Sequence, residues 1–220
     1  MMRFARVVSC LAMFVFALAV PGRAQSASTD SRYYAEVNGG ATFGHKSSGS
    51  VGAEAGYHVT GPYTVFVEGG RMFNVGTSDL DARAQVIAND VGATVSSSYK
   101  VNYFDAGLRY VLPPNMKLSM LNPYLAVGVG FASVRAETAL AVNGTTVPPE
   151  TLGVAFGADL DGTVTKALFT LGGGVTYPFA DRYFIDGTFR YGRIFPRSGV
   201  IEGDKGINTS RLQIGFGVKF

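Results

Sequence analysis

The chain has 220 residues, with 19 Lys and Arg against 16 Asp and Glu, 29 Gly, 16 Phe, 11 Tyr and a single Cys. That length suits one ordinary domain, and one cysteine excludes a disulfide framework. Arg3, Arg6 and Arg23 account for the whole formal charge of +3, because removing them from the 19 basic residues leaves 16 to match the acidic ones; the balance argues against a nucleic-acid partner.

The first segment is expected to be removed before folding. Arg3 and Arg6 precede an apolar run from Val7 to Val20, and Pro21-Gly22-Arg23-Ala24 follows. A basic start, a short apolar run and small residues at −3 and −1 predict a secretory signal peptide over residues 1–24, cleaved after Ala24. The alternative is a single membrane anchor, for which the run is short. Cys10 lies within the run, so the domain over residues 25–220 would carry no cysteine. No later segment is apolar for long enough to form a spanning helix.

Eight segments with period-two alternation follow, and each predicts a strand with side chains on opposite faces. Over 33–43, Tyr33, Ala35, Val37 and Phe43 oppose Tyr34, Glu36, Asn38 and Gly40. Over 49–59, Val51, Ala53, Ala55 and Tyr57 oppose Gly52, Glu54, Gly56 and His58. Over 63–74, Tyr63, Val65, Val67 and Phe73 oppose Thr64, Phe66, Glu68 and Gly70. Over 100–112, Phe104, Ala106, Leu108 and Tyr110 oppose Tyr103, Asp105, Gly107 and Arg109. Over 124–134, Leu125, Val127, Val129 and Phe131 oppose Tyr124, Ala126, Gly128 and Gly130. Over 169–179, Phe169, Leu171, Val175 and Tyr177 oppose Thr170, Gly172, Gly174 and Thr176. Over 183–194, Tyr183, Ile185, Phe189 and Tyr191 oppose Asp186, Thr188, Arg190 and Gly192. In the last segment, Leu212, Ile214, Phe216, Val218 and Phe220 oppose Arg211, Gln213, Gly215, Gly217 and Lys219.

Segments of about ten residues can cross a bilayer as tilted strands, and an even number closes into an all-β antiparallel up-and-down transmembrane barrel. The polar face carries Gly, Thr and charges, too small and too charged to line a lipid cavity. The apolar face is therefore assigned to lipid and the polar face to the interior, against the alternative of a soluble barrel with its apolar face inward. Aromatic residues gather at both ends of the segments, as a membrane interface favours. Gly61-Pro62 and Ala180-Asp181 are short turns, and 113–122 joins segments four and five. The stretches 75–99, 138–165 and 196–209 are long and 44–48 is short, with a short helix expected over Asp79 to Ala88.

On these residues the chain resembles the small OmpA/OmpX-type outer-membrane barrels, including opacity-like surface proteins, over about residues 30–220. The resemblance implies an exported monomeric barrel in the bacterial outer membrane, with lipid and lipopolysaccharide as neighbours. It also implies that the run ending at Phe220 is read by the barrel assembly machinery. The sequence given stops at Phe220, so the peptidoglycan-binding domain of longer family members is not expected.

Two residue sets are candidates for function. Glu36, Glu54, Glu68, Asp105 and Asp186, with Arg109, Arg190, Arg211 and Lys219, share the inward parity. Opposite charges enclosed together are expected to pair, because an unpaired buried charge is costly, and so to plug the lumen; a gated ion path is the alternative. Arg71, Lys100, Arg135 and Arg193 share the outward parity near the long-loop end. There they are expected either to bind lipopolysaccharide phosphates or to snorkel into headgroups. Catalytic residues are not expected, since a lipid A-modifying hydrolase of this shape needs a His-Ser pair near the end of the chain and the two histidines are His45 and His58. Asp159 and Asp161 lack the spacing of a calcium loop, so neither a metal nor another cofactor is expected. The favoured role is structural or adhesin-like, through the outer loops and without enzymatic activity; a small channel and a lipid A-modifying enzyme are the alternatives.

Overall fold

The computed structural model describes residues 32–113, 121–158, 160–197 and 204–220. The expected export signal and Asp159 lie outside the described residues.

Eight long strands close on themselves. They are β1 (Tyr33–Phe43), β2 (Ser48–Thr60), β3 (Tyr63–Met72), β4 (Thr94–Val111), β5 (Asn122–Val142), β7 (Gly162–Pro178), β8 (Tyr183–Ile194) and β9 (Ile207–Lys219). A ninth, β6 (Thr145–Val147), is a short return strand on the far edge of β5. Every pairing is antiparallel between chain neighbours around the wall, and β1 against β9 closes the barrel with Val37 opposite Phe216. Closure gives every wall strand two partners and leaves no open edge within the barrel. The expected all-β eight-stranded barrel is thus the observed fold.

The burial pattern settles which face is which. Val129 is 65% exposed and Ile214 71%, whereas Glu68 is 1% and Asp105 0%. The apolar rows coat the outside, and the ionised groups lie within. At the short-turn end, Tyr33 packs between Tyr57 and Phe220, Tyr63 against Tyr110, and Phe179 against Tyr183, forming an exposed aromatic ring around that rim. No described helix is long and apolar enough to cross a membrane.

Inside, side chains stack in layers. Toward the long-loop end, Met72, Val75, Val101, Tyr103, Ala132, Val134, Leu168, Ile194 and Ile207 form an apolar cluster. The charged residues lie below it. Phe66, Tyr124 and Ala126 pack nearer the short turns. Glycine makes room at the tightest points: a Cβ on Gly217 would lie 2.1 Å from the Phe184 ring, and one on Gly56 would lie 2.1 Å from the Tyr34 ring.

The long-loop end is more regular than its sequence suggests. Expected loops 75–99 and 138–165 are largely structured. Strands β4 and β5 run past the barrel as a two-stranded ribbon, pairing Thr94 with Ala141, and β7 begins at Gly162 rather than near 169. Helix α1 (Ser78–Asp90) fits the expected short helix. The Thr77 side chain caps it by accepting from the Leu80 N–H, and Asp79 and Asp81 complement the positive end of its dipole. Ala88 of the helix packs with Ala93 and with Leu140 of the ribbon, covered by Leu152, Val154 and Phe156. Three loops meet at the first turn of α1: Asp81 pairs with Lys46 at 2.8 Å and His45 at 3.2 Å, and Asp79 pairs with Lys205 at 2.9 Å.

Candidate functional site

Antiparallel register turns sequence parity into two opposed charge rows. Glu36 sits opposite Glu54, Glu54 opposite Glu68, and Glu68 opposite Asp105, so four acids run side by side across β1 to β4. On the facing wall, Arg190 of β8 is paired in register with Arg211 of β9. Each row would repel itself; together they interlock across the axis.

Glu54 accepts from Arg109 Nη2 at 2.6 Å, from Arg190 Nη2 at 3.0 Å and from the Tyr34 hydroxyl at 2.5 Å. Glu68 accepts from Arg190 Nη1, from Arg211 Nη1 at 3.2 Å and from the Tyr103 hydroxyl at 2.7 Å. Asp105 takes the Thr170 hydroxyl at 2.7 Å. Asp186 accepts from Tyr124 at 2.5 Å, Thr188 at 2.6 Å and Thr176 at 3.0 Å. The guanidinium groups also stack on aromatic faces: Arg109 over Tyr124 at 3.9 Å, Arg211 over Tyr103 at 4.1 Å and Arg190 over Phe66 at 4.8 Å. Charge-assisted hydrogen bonds and cation–π contacts together offset the desolvation of these ions.

Seven of the nine inward candidates meet in this network. Among the described residues Glu36 and Lys219 form no ion pair with it, where pairing of all nine was expected. Glu36 faces the lumen beside Gly215, and its Oε2 is buried with no hydrogen-bond partner among the described residues. Glu54, its register partner on β2, already engages two of the three arginines, Arg109 and Arg190. Lys219 sits one inward row closer to the rim, opposite Tyr34, with its ammonium 5.9 Å from the Phe184 ring.

The four outward candidates divide. Lys100 is directly opposite Arg135 across β4 and β5, and both bind Glu137, at 2.5 Å from Lys100 and 2.9 Å from Arg135. Arg71 lies opposite Asn102, diagonal to Lys100. Arg193 stands apart on β8, paired in register with Phe169 and bonded to Asn208 and to the Lys205 carbonyl. It does not share a site with the other three, because β7 separates its strand from β5 and the register offsets it by several residues.

The histidines also stand apart. His45 contacts Asp81 at the outer rim, and His58 meets Thr64 near the short turns at 3.3 Å.

A family model described as "Outer membrane protein beta-barrel domain" matches residues 10–220. The chain belongs to that family. Among solved structures, this outer-membrane barrel is similar to Neisserial surface protein A, at 16% identity over 89% of this chain and 100% of that one, with a TM-score of 0.55. It is also similar to Ail, the attachment invasion locus protein of Yersinia pestis, at 11% identity over 87% and 99%, with a TM-score of 0.48. The outer membrane enzyme PagL aligns at 12% identity over 85% and 99%, with a TM-score of 0.41. No curated protein matches the chain.

Other residues of the outer-membrane barrel's lumen escaped sequence analysis. Tyr34, Tyr103 and Tyr124 share the inward parity, but their hydroxyls matter only because register aims them at carboxylates. Lys166 lies in the part of β7 that precedes its apolar alternation, so no sequence pattern marks it as inward. It forms a buried pair with Asp204 at 2.6 Å, and Asp204 also accepts from the backbone N–H groups of Arg197 and Gly206. Burial raises the Asp204 carboxyl pKa, but the Lys166 ammonium and the two N–H donors outweigh that and hold it below the usual range.

Proposed function

We propose that the chain is a sealed, non-enzymatic outer-membrane scaffold that makes surface contacts through its long-loop end. The observation that carries this reading is the interlocked Glu54–Arg190–Glu68 centre beneath an apolar layer. A lumen filled and cross-braced in this way is a rigid support rather than an open passage. What it supports is an ordered outer structure: the outer ends of β4 and β5 with β6, packed on α1 at Ala88 and Leu140, while Asp79 and Asp81 tie α1 to Lys205 and Lys46 of the neighbouring loops. Loops held on a rigid frame are the common place for recognition.

The other expectations fit the same reading. Residues 1–24 direct export and are released after Ala24. The β9 segment, with Leu212, Ile214, Phe216 and Phe220 facing outward, engages the assembly machinery, and the barrel works as a monomer. Against a hydrolase, the two histidines, His45 and His58, lie far from the end of the chain, where a lipid A-modifying hydrolase of this shape would need a His-Ser pair.

Two assays test the proposal. Planar-bilayer recording of the refolded chain is expected to show little or no steady current; large persistent openings would overturn the sealed lumen. Bacteria displaying the chain are expected to adhere to cultured cells, and to lose adhesion when the β5–β6 return over Leu140–Val147 is replaced by a short turn. Equal adhesion after that replacement would overturn the surface-contact role.

A further inference from the structure

The outer wall of β3, β4 and β5 has an ordered vertical sequence. Phe104 and Phe131 face each other across β4 and β5 and are both exposed, marking the top of the apolar band. The next outward row is polar: Arg71, Asn102 and Ser133 lie side by side in register. The row above that is the Lys100–Arg135 pair, and above it Ser98 stands opposite Glu137. Moving outward along β4 and β5, the wall therefore passes from aromatic rings to neutral donors beside the Arg71 guanidinium, then to two more cations, with the exposed Phe73 beyond Arg71 just past the end of β3.

That sequence matches an amphiphile lying against the wall with its chains down. Chains would pack on Phe104 and Phe131, hydroxyl or carbonyl groups would meet Asn102 and Ser133, and an anionic headgroup would meet the cations. The charge count also points outward. Three cations surround the single carboxylate Glu137, leaving an excess of two positive charges on a lipid-facing wall. Arg71 adds a specific gap: its Nε is buried without a hydrogen-bond partner among the described residues, while its guanidinium leans over Phe73 at 5.9 Å. Arginine forks suit phosphate oxygens, and lysine supplies a point charge beside them.

We propose that Arg71, Lys100 and Arg135, with Asn102 and Ser133, form one binding site for the phosphorylated headgroup of an outer-leaflet lipid. Arg193 is not part of it. The site is independent of whatever the long loops contact, so its failure and the failure of the scaffold reading are separable.

The test is lipid retention by the refolded full chain, read by native mass spectrometry from nanodiscs. Probes are lipid A, dephosphorylated lipid A and inorganic phosphate. Wild-type protein is expected to retain lipid A well above its dephosphorylated form, and to bind inorganic phosphate far more weakly than either. The triple variant Arg71→Ala/Lys100→Ala/Arg135→Ala is expected to lose roughly a hundredfold in lipid A retention, from three cations at an anionic surface. The variant Arg193→Ala is expected to match wild type. Heat-modifiable gel mobility confirms that each variant is folded. Equal retention of the two lipids by wild type, unchanged retention by the folded triple variant, or an equal loss in Arg193→Ala would each overturn the site. Should the triple variant fail to fold, Arg71→Lys/Arg135→Lys keeps the charge but removes the forks; wild-type retention in that variant would overturn the arginine-specific part of the assignment.

Discussion

Glu54 and Arg190 lie 136 residues apart in the chain and meet across the barrel axis at 3.0 Å. Arg190 also binds Glu68, so one guanidinium bridges two neighbouring carboxylates. Removing it would leave both acids buried with fewer compensating charges. We expect Arg190→Ala to destabilise the barrel by about 3–5 kcal/mol, measured as a shift in urea unfolding in lipid. The same variant is expected to raise conductance above wild type, because the central brace is gone. Unchanged stability would mean that Arg109 and Arg211 alone hold the row of acids.

The glycines give a paired comparison. Gly217 leaves room for the Phe184 ring, where an added Cβ would come within 2.1 Å, and Gly187 meets nothing within 4 Å. Gly217→Ala is expected to abolish or strongly weaken folding, judged by loss of the compact heat-modifiable band. Gly187→Ala should leave it intact. Similar behaviour of both variants would contradict the interior packing.

A charge on the lipid face should be costly. Val129 is exposed on β5 two residues from Phe131, within the apolar band. Val129→Arg, between the exposed Leu125 and Phe131 rows, is expected to cost about 2–4 kcal/mol, measured by reversible unfolding into lipid vesicles. A change near zero would argue that Val129 faces water.

The Asp204 latch should respond to acid. Its folded pKa lies below the ordinary carboxylate value, so its stabilising contribution is complete above that ordinary value, about 4. The contribution is lost as pH falls through the lower, folded value. Limited proteolysis near Arg197 should therefore accelerate only in acid. Asp204→Asn should show the faster cleavage already at neutral pH, with no further rise in acid attributable to this group. Cleavage that is fast at every pH in wild type would remove the latch.

How much of this was legible in the sequence differs by element. Strand parity was legible because lipid demands apolar side chains on every second position, so Leu212 to Phe220 declares both the strand and its outer face. Strand length was not. In β4 the stretch from Thr94 to Tyr99 lies beyond the apolar band, where nothing requires alternation, and Ser96, Ser97 and Ser98 resemble a loop. The inward charges were legible as a set, but their partners were not. Which acid meets which arginine depends on the stagger between strands, and no local pattern encodes it. The same cause separated Arg193 from Arg71, Lys100 and Arg135, which share its parity but lie on neighbouring strands. Tyr34, Tyr103 and Tyr124 stood in plain view on the charged face, and only the register turns them into donors.

The orientation of the two faces underlies every other conclusion, and lipid contact measures it directly. In nanodiscs, nuclear Overhauser effects from acyl chains should reach the side chains of Leu125, Val127, Val129 and Phe131 on β5, and should miss Tyr124, Ala126 and Ala132. The reverse pattern, or lipid contact with neither set in a chain that stays soluble without lipid, would contradict it.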